Sequence, residues 1–92
     1  MEYIKVEWLH ELSDEPKLLY SELARDRSEV RKVEMFLDGT FGHSDGEKSV
    51  GSTRLSETML PSDNEINENP KFTLESISKE QFEEVWTKAT KN

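Results

Sequence analysis

Apolar and polar residues alternate at the start of the chain, and this alternation predicts a strand from Tyr3 to Leu9. Ile4, Val6 and Trp8 lie on one side of such a strand, and charged residues lie between them. A period of two residues is typical of a strand that buries one face and exposes the other to solvent.

A second alternation leads into a turn near the middle of the chain. Val33 and Met35 share one face of an extended run, and Asp38-Gly39 follows shortly afterwards. An Asp-Gly pair between two extended runs predicts a tight β-hairpin in which both turn residues take positive φ. The second arm is expected over residues 40–44, and a polar loop follows it.

The run from Lys17 to Ala24 fits two secondary structures. Leu19 and Leu23, four residues apart, suit the buried side of a helix. Leu18 and Tyr20 instead share one side of a strand. We favour the strand, because the neighbouring predicted strands offer it hydrogen-bonding partners.

The second half of the chain has weaker signals before its last element. Residues 53–59 alternate weakly and suit an edge strand or an extended segment. Residues 61–66 predict a short helix, with Ser62 and Glu65 spaced as a capping box, and residues 71–77 are expected to be extended.

The last element is a helix that begins after Ser78, with Gln81 completing a capping box. Its apolar residues recur with helical spacing and form one stripe, which we expect to pack on the apolar face of the sheet: Phe82, Val85, Trp86 and Ala89. The elements together predict one α+β domain over residues 1–92. Its sheet is expected to be mostly antiparallel, with four to five strands and the C-terminal helix on one face.

Composition limits the classes of partner. The formal net charge is −8, which disfavours nucleic acid and anionic membrane surfaces as partners. The chain has no cysteine, which excludes disulfides and thiolate chemistry. No apolar run reaches the roughly 20 residues of a membrane span, and the first residues do not resemble a signal peptide. We therefore expect a cytoplasmic protein.

The sequence carries no catalytic, metal or nucleotide motif. Asp63, Glu65 and Asn67 have the spacing of calcium ligands, but Glu68 and Leu74 stand where an EF-hand requires Gly and Glu. His43 lies near Ser44, Asp45 and Glu47, a grouping that an acid–base or metal site could use but that is more typical of a solvated loop, and His10 at the end of a strand is interpreted in the same way. We accordingly predict no catalytic residues, no metal and no cofactor.

Two groups of charged residues are candidates for binding. The basic residues between Arg25 and Lys32 alternate with acidic ones, which favours cross-strand ion pairs over a nucleic-acid surface. Arg54 lies in an acidic half of the chain and is expected to pair with Glu34, with Glu57 or with an anionic ligand.

The order of five segments resembles a family of small bacterial proteins of unknown function, DUF6881. The segments are YIKVEWLH, LYSEL, EVRKVEMFLDGTFGHSD, VGSTRLSE and ISKEQFEEVW. The resemblance implies one intact domain and an extended conformation for residues 18–23, and it implies no activity. The residues that match the family pattern are Tyr20, Glu22, Arg31, Glu34, Arg54 and Glu57.

Small size, acidity and the lack of catalytic motifs favour a non-enzymatic module that binds another protein, for example as an immunity or antitoxin-like inhibitor. The predicted binding residues are Tyr20, Arg31, Glu34, Arg54 and Glu57. One alternative is a small-ligand-binding protein or small enzyme with a pocket around Arg54. Nucleic-acid binding through Arg25–Lys32 is a weaker alternative. We expect a monomer or a weak homodimer.

Overall fold

The computed structural model describes residues 1–91 as a six-stranded antiparallel sheet with two helices. The order of strands across the sheet is β5-β4-β3-β2-β1-β6. The elements in chain order are β1 (Glu2–Trp8), β2 (Pro16–Leu23), β3 (Glu29–Phe36), β4 (Phe41–Ser44), β5 (Ser49–Val50), α1 (Asp63–Glu68), β6 (Phe72–Ser76) and α2 (Lys79–Thr90).

The predicted α+β class, the antiparallel sheet and the C-terminal helix are confirmed. The sheet has six strands rather than four or five, because the polar loop after β4 turns at Gly46 and returns as the two-residue strand β5. Residues 17–24, which fitted a helix or a strand, lie mostly in β2. Residues 53–59 form no strand, so the edge strand that their weak alternation suggested is absent from residues 1–91.

The hairpin between β3 and β4 is confirmed, but the predicted turn type is wrong. Gly39 has a φ of 84°, whereas Asp38 lies outside the positive-φ region. The Gly39 N–H donates to the Phe36 carbonyl at 2.9 Å, and the Asp38 carboxylate accepts from the Thr40 N–H at 3.0 Å. Asp38 therefore stabilises the turn through its side chain, and only the glycine needs the left-handed conformation.

Strand register places two different rows of side chains on the two faces of the sheet. Tyr3, Glu22 and Arg31 form one row, on the face that α2 covers, which we call the helix face. Ile4 and Ser21 belong to the neighbouring row on the opposite face, which residues 53–71 cross. We call that segment the strap and this face the strap face.

The C-terminal helix does not lie on the face that holds Ile4 and Val6. Its buried Phe82 packs against the ring of Tyr3, with ring centroids 5.4 Å apart. Ile4 and Val6 lie beneath the strap instead. The helix face has apolar residues of its own, including the fully buried Val33, and so α2 can be buried there.

The predicted capping box is present at the start of α2, whereas α1 begins with the Ser62 side-chain cap and without the reciprocal bond of a box. The Ser78 hydroxyl accepts from the Gln81 N–H at 3.1 Å, and the Gln81 side chain accepts from the Ser78 N–H at 2.8 Å. The Ser62 hydroxyl accepts from the Glu65 N–H at 3.3 Å. Within residues 1–91, no helix combines the length and the apolar character that crossing a membrane requires.

Candidate functional site

A half-enclosed cavity of about 380 Å³ lies between the strap face of the sheet and the strap. Its floor consists of apolar side chains that alternate on β1 and β2, and its roof consists of apolar residues of the strap. The floor residues are Ile4, Val6 and Leu19, the roof residues are Leu60, Pro61 and Ile66, and Phe72 of β6 joins them. The period-two pattern of the strands therefore supplies one wall, and the chain that folds back over the sheet supplies the other.

One end of the cavity is polar and holds a buried ion pair. The Lys32 ammonium lies 3.2 Å from the Glu29 carboxylate, and the two side chains are 14% and 1% exposed. The Ser21 hydroxyl donates to the other carboxylate oxygen of Glu29 at 2.9 Å. The Ser56 N–H of the strap also donates to Glu29. Since buried charges are costly unless they are paired and hydrogen-bonded, these contacts explain how Glu29 is accommodated there.

Arg27 fastens the strap to the turn between β2 and β3. Its guanidinium donates to the Pro61 carbonyl at 2.8 and 3.1 Å and to the Asp63 carboxylate at 2.9 Å. Its own carbonyl accepts from the Leu60 N–H at 3.0 Å. Arg27 has a φ of 68°, and it is the one non-glycine residue with positive φ in the described part of the chain. This conformation is sparsely populated by L-residues, and it accompanies the contacts to the cavity roof.

The far end of the strap is held by β6. The Asn67 side chain accepts from the Leu74 N–H at 2.8 Å, and the Asn69 carbonyl accepts from the Phe72 N–H at 3.0 Å. Both N–H groups lie on the outer edge of the sheet, because alternate residues of β6 bond to β1. The strap therefore closes one side of the cavity and also satisfies part of an exposed sheet edge.

The helix face holds a second polar cluster, whose side chains contact one another and do not line the cavity. The Arg31 guanidinium donates two hydrogen bonds to Glu22 at 2.7 and 3.0 Å and two to Glu83 at 2.7 and 3.0 Å. It also lies 4.9 Å from the ring centre of Phe82 and 5.0 Å from that of Trp86. Four of its N–H groups are thus used, and its charge is packed against aromatic rings.

The pKa values in this cluster shift as its hydrogen bonds dictate. The bonds from Arg31 lower the pKa of Glu22 and of Glu83, and they outweigh the opposing effect of burial. Burial raises the pKa of Tyr3, and the hydrogen bond that its hydroxyl donates to Glu22 at 2.9 Å acts in the same direction. The cluster is arranged to keep both carboxylates ionised and the phenol neutral.

The structure does not gather the five predicted binding residues into one site. Arg31 and Tyr20 lie on the helix face, whereas Glu34 lies on the strap face and accepts from the Thr53 hydroxyl at 2.7 Å. Arg54 is exposed and donates to the Thr53 carbonyl at 2.7 Å, and Glu57 is also exposed. None of the five lines the cavity described above.

Three basic residues of the 25–32 segment form ion pairs, and one of these pairs is cross-strand, as the interleaved charges predicted. Arg27 pairs with Asp63, Arg31 pairs with Glu22 across β2 and β3, and Lys32 pairs with Glu29. Their charges therefore do not form a continuous basic surface.

Of the three polar residues that meet at the end of the cavity, the sequence singled out only Lys32, and only as part of a nucleic-acid-binding alternative. Ser21, Glu29 and Lys32 are spread over twelve positions of two strands, and only strand register brings them together. One signal was available: Lys32 and Glu34 alternate with Val33, which places charges on one face of a central strand. Across residues 1–91, no group of three or more acidic or histidine side chains is arranged to hold a metal ion.

Comparison with protein families gives a match over nearly the whole chain. The family model DUF6881, described as a domain of unknown function, matches residues 2–91. The chain belongs to the DUF6881 family. Comparisons with curated proteins and with solved structures find no match. Because DUF6881 carries no described activity, the function of this domain has to be inferred from its cavity and its surface.

Proposed function

We propose that this DUF6881 protein is a non-enzymatic binding protein for a small, largely apolar molecule, and that the molecule occupies the cavity beneath the strap. The observation that carries the proposal is the cavity itself, whose volume of about 380 Å³ falls within the range of ligand sites. Mostly apolar walls with a few converging polar groups are also typical of such sites.

The volume sets the size of the ligand. An engineered apolar cavity of roughly 150 Å³ binds benzene. The cavity here is more than twice as large, so it suits a molecule of about two fused rings. Removing the apolar surface of such a molecule from water provides the main driving force, at about 25 cal/mol per Å² buried.

The polar groups of the cavity support binding rather than catalysis. Glu29 is engaged by Lys32, Ser21 and the Ser56 N–H, and the Ser21 hydroxyl donates to Glu29. A nucleophile needs an adjacent base that accepts its proton, and a general base needs access to the substrate. Here the carboxylate that would act as base is used to neutralise a lysine.

A fluorescent probe tests the proposal. N-phenyl-1-naphthylamine is neutral and emits strongly in apolar surroundings, so it is expected to bind the wild-type protein saturably and with one-to-one stoichiometry. Ile66→Trp enlarges a roof side chain and is expected to weaken binding at least tenfold. Leu37→Trp places the same side chain on the exposed hairpin turn, and it should bind like the wild type.

One outcome of this experiment would contradict the proposal. Circular dichroism checks that each variant keeps the wild-type fold. If folded Ile66→Trp binds the probe as tightly as Leu37→Trp does, the probe is not in the cavity and the proposal fails.

A second candidate function, recognition of another protein, is supported by three exposed apolar side chains at one end of the sheet. Leu9 and Leu12 lie after β1, Leu37 lies after β3, and their exposed fractions are 54%, 53% and 46%. The pairing of Pro16 with Phe36 shows that these two connections lie at the same end of the sheet. Exposed apolar patches often mark interaction sites.

This second candidate corresponds to an immunity or antitoxin-like role in the bacterial cytoplasm. The absence of cysteine fits such a reducing compartment, where disulfides are rare. A pull-down from native lysate at low salt tests it, with Leu9→Ser/Leu12→Ser/Leu37→Ser as the comparison. A protein that the wild type retains and the triple variant loses supports the candidate. Retention of the same proteins by both counts against it.

A further inference from the structure

We infer that the ligand of the cavity is a neutral molecule that carries a carbonyl or hydroxyl oxygen on its apolar body. This inference rests on the function proposed above and specifies the class of ligand. It follows from the charges and hydrogen-bonding groups at the polar end of the cavity, where Ser21, Glu29 and Lys32 meet.

The charge balance of the cavity disfavours an anion. Lys32 is already neutralised by Glu29 at 3.2 Å, so the buried pair has no net charge. Apart from this pair, the charged residue of the cavity lining is Glu65 in the roof, which is acidic. A bound carboxylate would therefore introduce an unbalanced negative charge, which is costly in a site of low dielectric constant. The net charge of −8 on the chain acts in the same direction.

The hydrogen-bonding groups favour an oxygen acceptor. An ammonium group has three N–H donors. Lys32 uses one donor on the Arg54 carbonyl at 3.3 Å and lies in an ion pair 3.2 Å from Glu29, and these two contacts leave at least one donor for a ligand. The Ser21 hydroxyl donates to Glu29 and retains lone pairs that can accept from a ligand hydroxyl. A ligand carbonyl can accept a hydrogen bond from Lys32. A ligand hydroxyl can accept from Lys32 and also donate to Ser21.

A series of three bicyclic compounds tests this inference by displacement of bound N-phenyl-1-naphthylamine at pH 7. Naphthalene has no polar group, 2-acetylnaphthalene adds a neutral carbonyl, and 2-naphthoate adds a carboxylate of similar size. The ketone is expected to bind the wild-type protein most tightly. The carboxylate is expected to bind at least tenfold more weakly than the ketone.

Glu29→Gln provides a sharper comparison, because Gln has nearly the same volume as Glu but leaves the charge of Lys32 without a partner. In this variant the preference for ketone over carboxylate should fall by tenfold or more. In Glu29→Gln/Lys32→Met both charges are absent, and discrimination against the carboxylate should return. The double variant also keeps the test usable if the single variant folds poorly.

The outcomes separate the inference from the proposed function. If wild-type protein binds 2-naphthoate as well as the ketone, or binds naphthalene as well as the ketone, the inference on ligand class is overturned while the cavity remains a binding site. If the probe itself does not bind, the proposed function fails first. If the probe binds and none of the three compounds displaces it, the inference is likewise overturned.

Discussion

Arg31 and Glu22 face each other across β2 and β3, and the guanidinium donates two parallel hydrogen bonds to the carboxylate, at 2.7 and 3.0 Å. Only 19% of the Arg31 side chain and 8% of the Glu22 side chain are exposed. The pair is therefore largely removed from water, where the loss of one partner has a large effect.

Replacing Arg31 alone is expected to destabilise the fold strongly. Arg31→Met leaves the Glu22 carboxylate buried without its cation, and the free energy of unfolding should fall by about 3 kcal/mol. Urea denaturation measures this change. Arg25→Met is the matched control, because Arg25 is exposed and forms none of the ion pairs described above, and its effect should stay within about 0.5 kcal/mol.

The double variant Glu22→Gln/Arg31→Met distinguishes a buried charge from a simple loss of packing. Removing both charges should recover part of the stability that Arg31→Met loses. An equal or larger loss in the double variant would show that the burial of Glu22 is not the cause.

The same cluster predicts how stability depends on pH. The hydrogen bonds from Arg31 lower the pKa of Glu22 in the folded protein, and they also lower the pKa of Glu83. A carboxylate whose pKa is lower in the folded state contributes stability above its unfolded pKa, about 4.3 for Glu. That contribution is lost as the pH falls through the folded pKa, so the free energy of unfolding should decrease from about pH 5 downward.

Urea denaturation at a series of pH values from 7 to 3 checks this prediction. Arg31→Met should show a shallower decrease than the wild type, because the pKa values of Glu22 and Glu83 are then no longer lowered by the guanidinium. Arg25→Met should follow the wild-type curve. If all three curves have the same slope below pH 5, the cluster is not the origin of the acid sensitivity.

The strands were largely predictable because their side chains alternate locally, whereas the site depended on contacts that sequence spacing does not reveal. Ile4 and Val6 predicted a strand with a buried face. The face that α2 would cover was not predictable, since Tyr3 and Val33 provide a packing surface on the other side. Local pattern determines which residues share a face, but not which later segment covers it.

The candidate site was missed for the same reason. Arg27 contacts Pro61 across 34 positions of the chain, and nothing in either neighbourhood indicates this. Glu29 belongs to a run of alternating charges in which no local pattern marks one carboxylate as buried, yet its side chain is 1% exposed. The bulge between β2 and β3 near Leu23 alters the register there, and such an irregularity is not visible in the hydrophobic pattern.

Gly42 is expected to tolerate no side chain, because the strap passes directly over it. A Cβ atom there would overlap the Thr53 hydroxyl and would lie 3.0 Å from the Val50 carbonyl. Gly42→Ala should therefore lower the free energy of unfolding by about 2 kcal/mol. Thermal or urea denaturation measures the loss.

Gly39→Ala separates this steric effect from backbone strain. Gly39 has a φ of 84°, and a methyl group at this position would meet no neighbouring atom within 4 Å, so its substitution should cost only about 1 kcal/mol. Adding Thr53→Ala should partly rescue Gly42→Ala and should not rescue Gly39→Ala. Equal effects of Thr53→Ala in both backgrounds would contradict the proposed overlap.

The Arg27 contacts predict that the strap opens independently of the sheet when they are removed. Arg27→Ala eliminates the side-chain hydrogen bonds to Pro61 and Asp63 and keeps a residue with a Cβ atom at a φ of 68°. Native-state hydrogen exchange at the Leu60 N–H, which donates to the Arg27 carbonyl, reports on opening. Exchange there should accelerate about tenfold, which corresponds to about 1.4 kcal/mol, while amides in the centre of β2 should change less.

Arg27→Gly makes the same deletion but removes the cost of positive φ, about 1 kcal/mol for a residue with a side chain. Its global stability should therefore exceed that of Arg27→Ala, although the strap loses the same side-chain bonds. Arg25→Gly, in the same connector, is the control and should leave exchange at Leu60 unchanged. If exchange at Leu60 does not respond to either Arg27 variant, the strap is held by its other contacts, such as the Ser56 N–H bond to Glu29 and the bonds that Asn67 and Asn69 accept from β6.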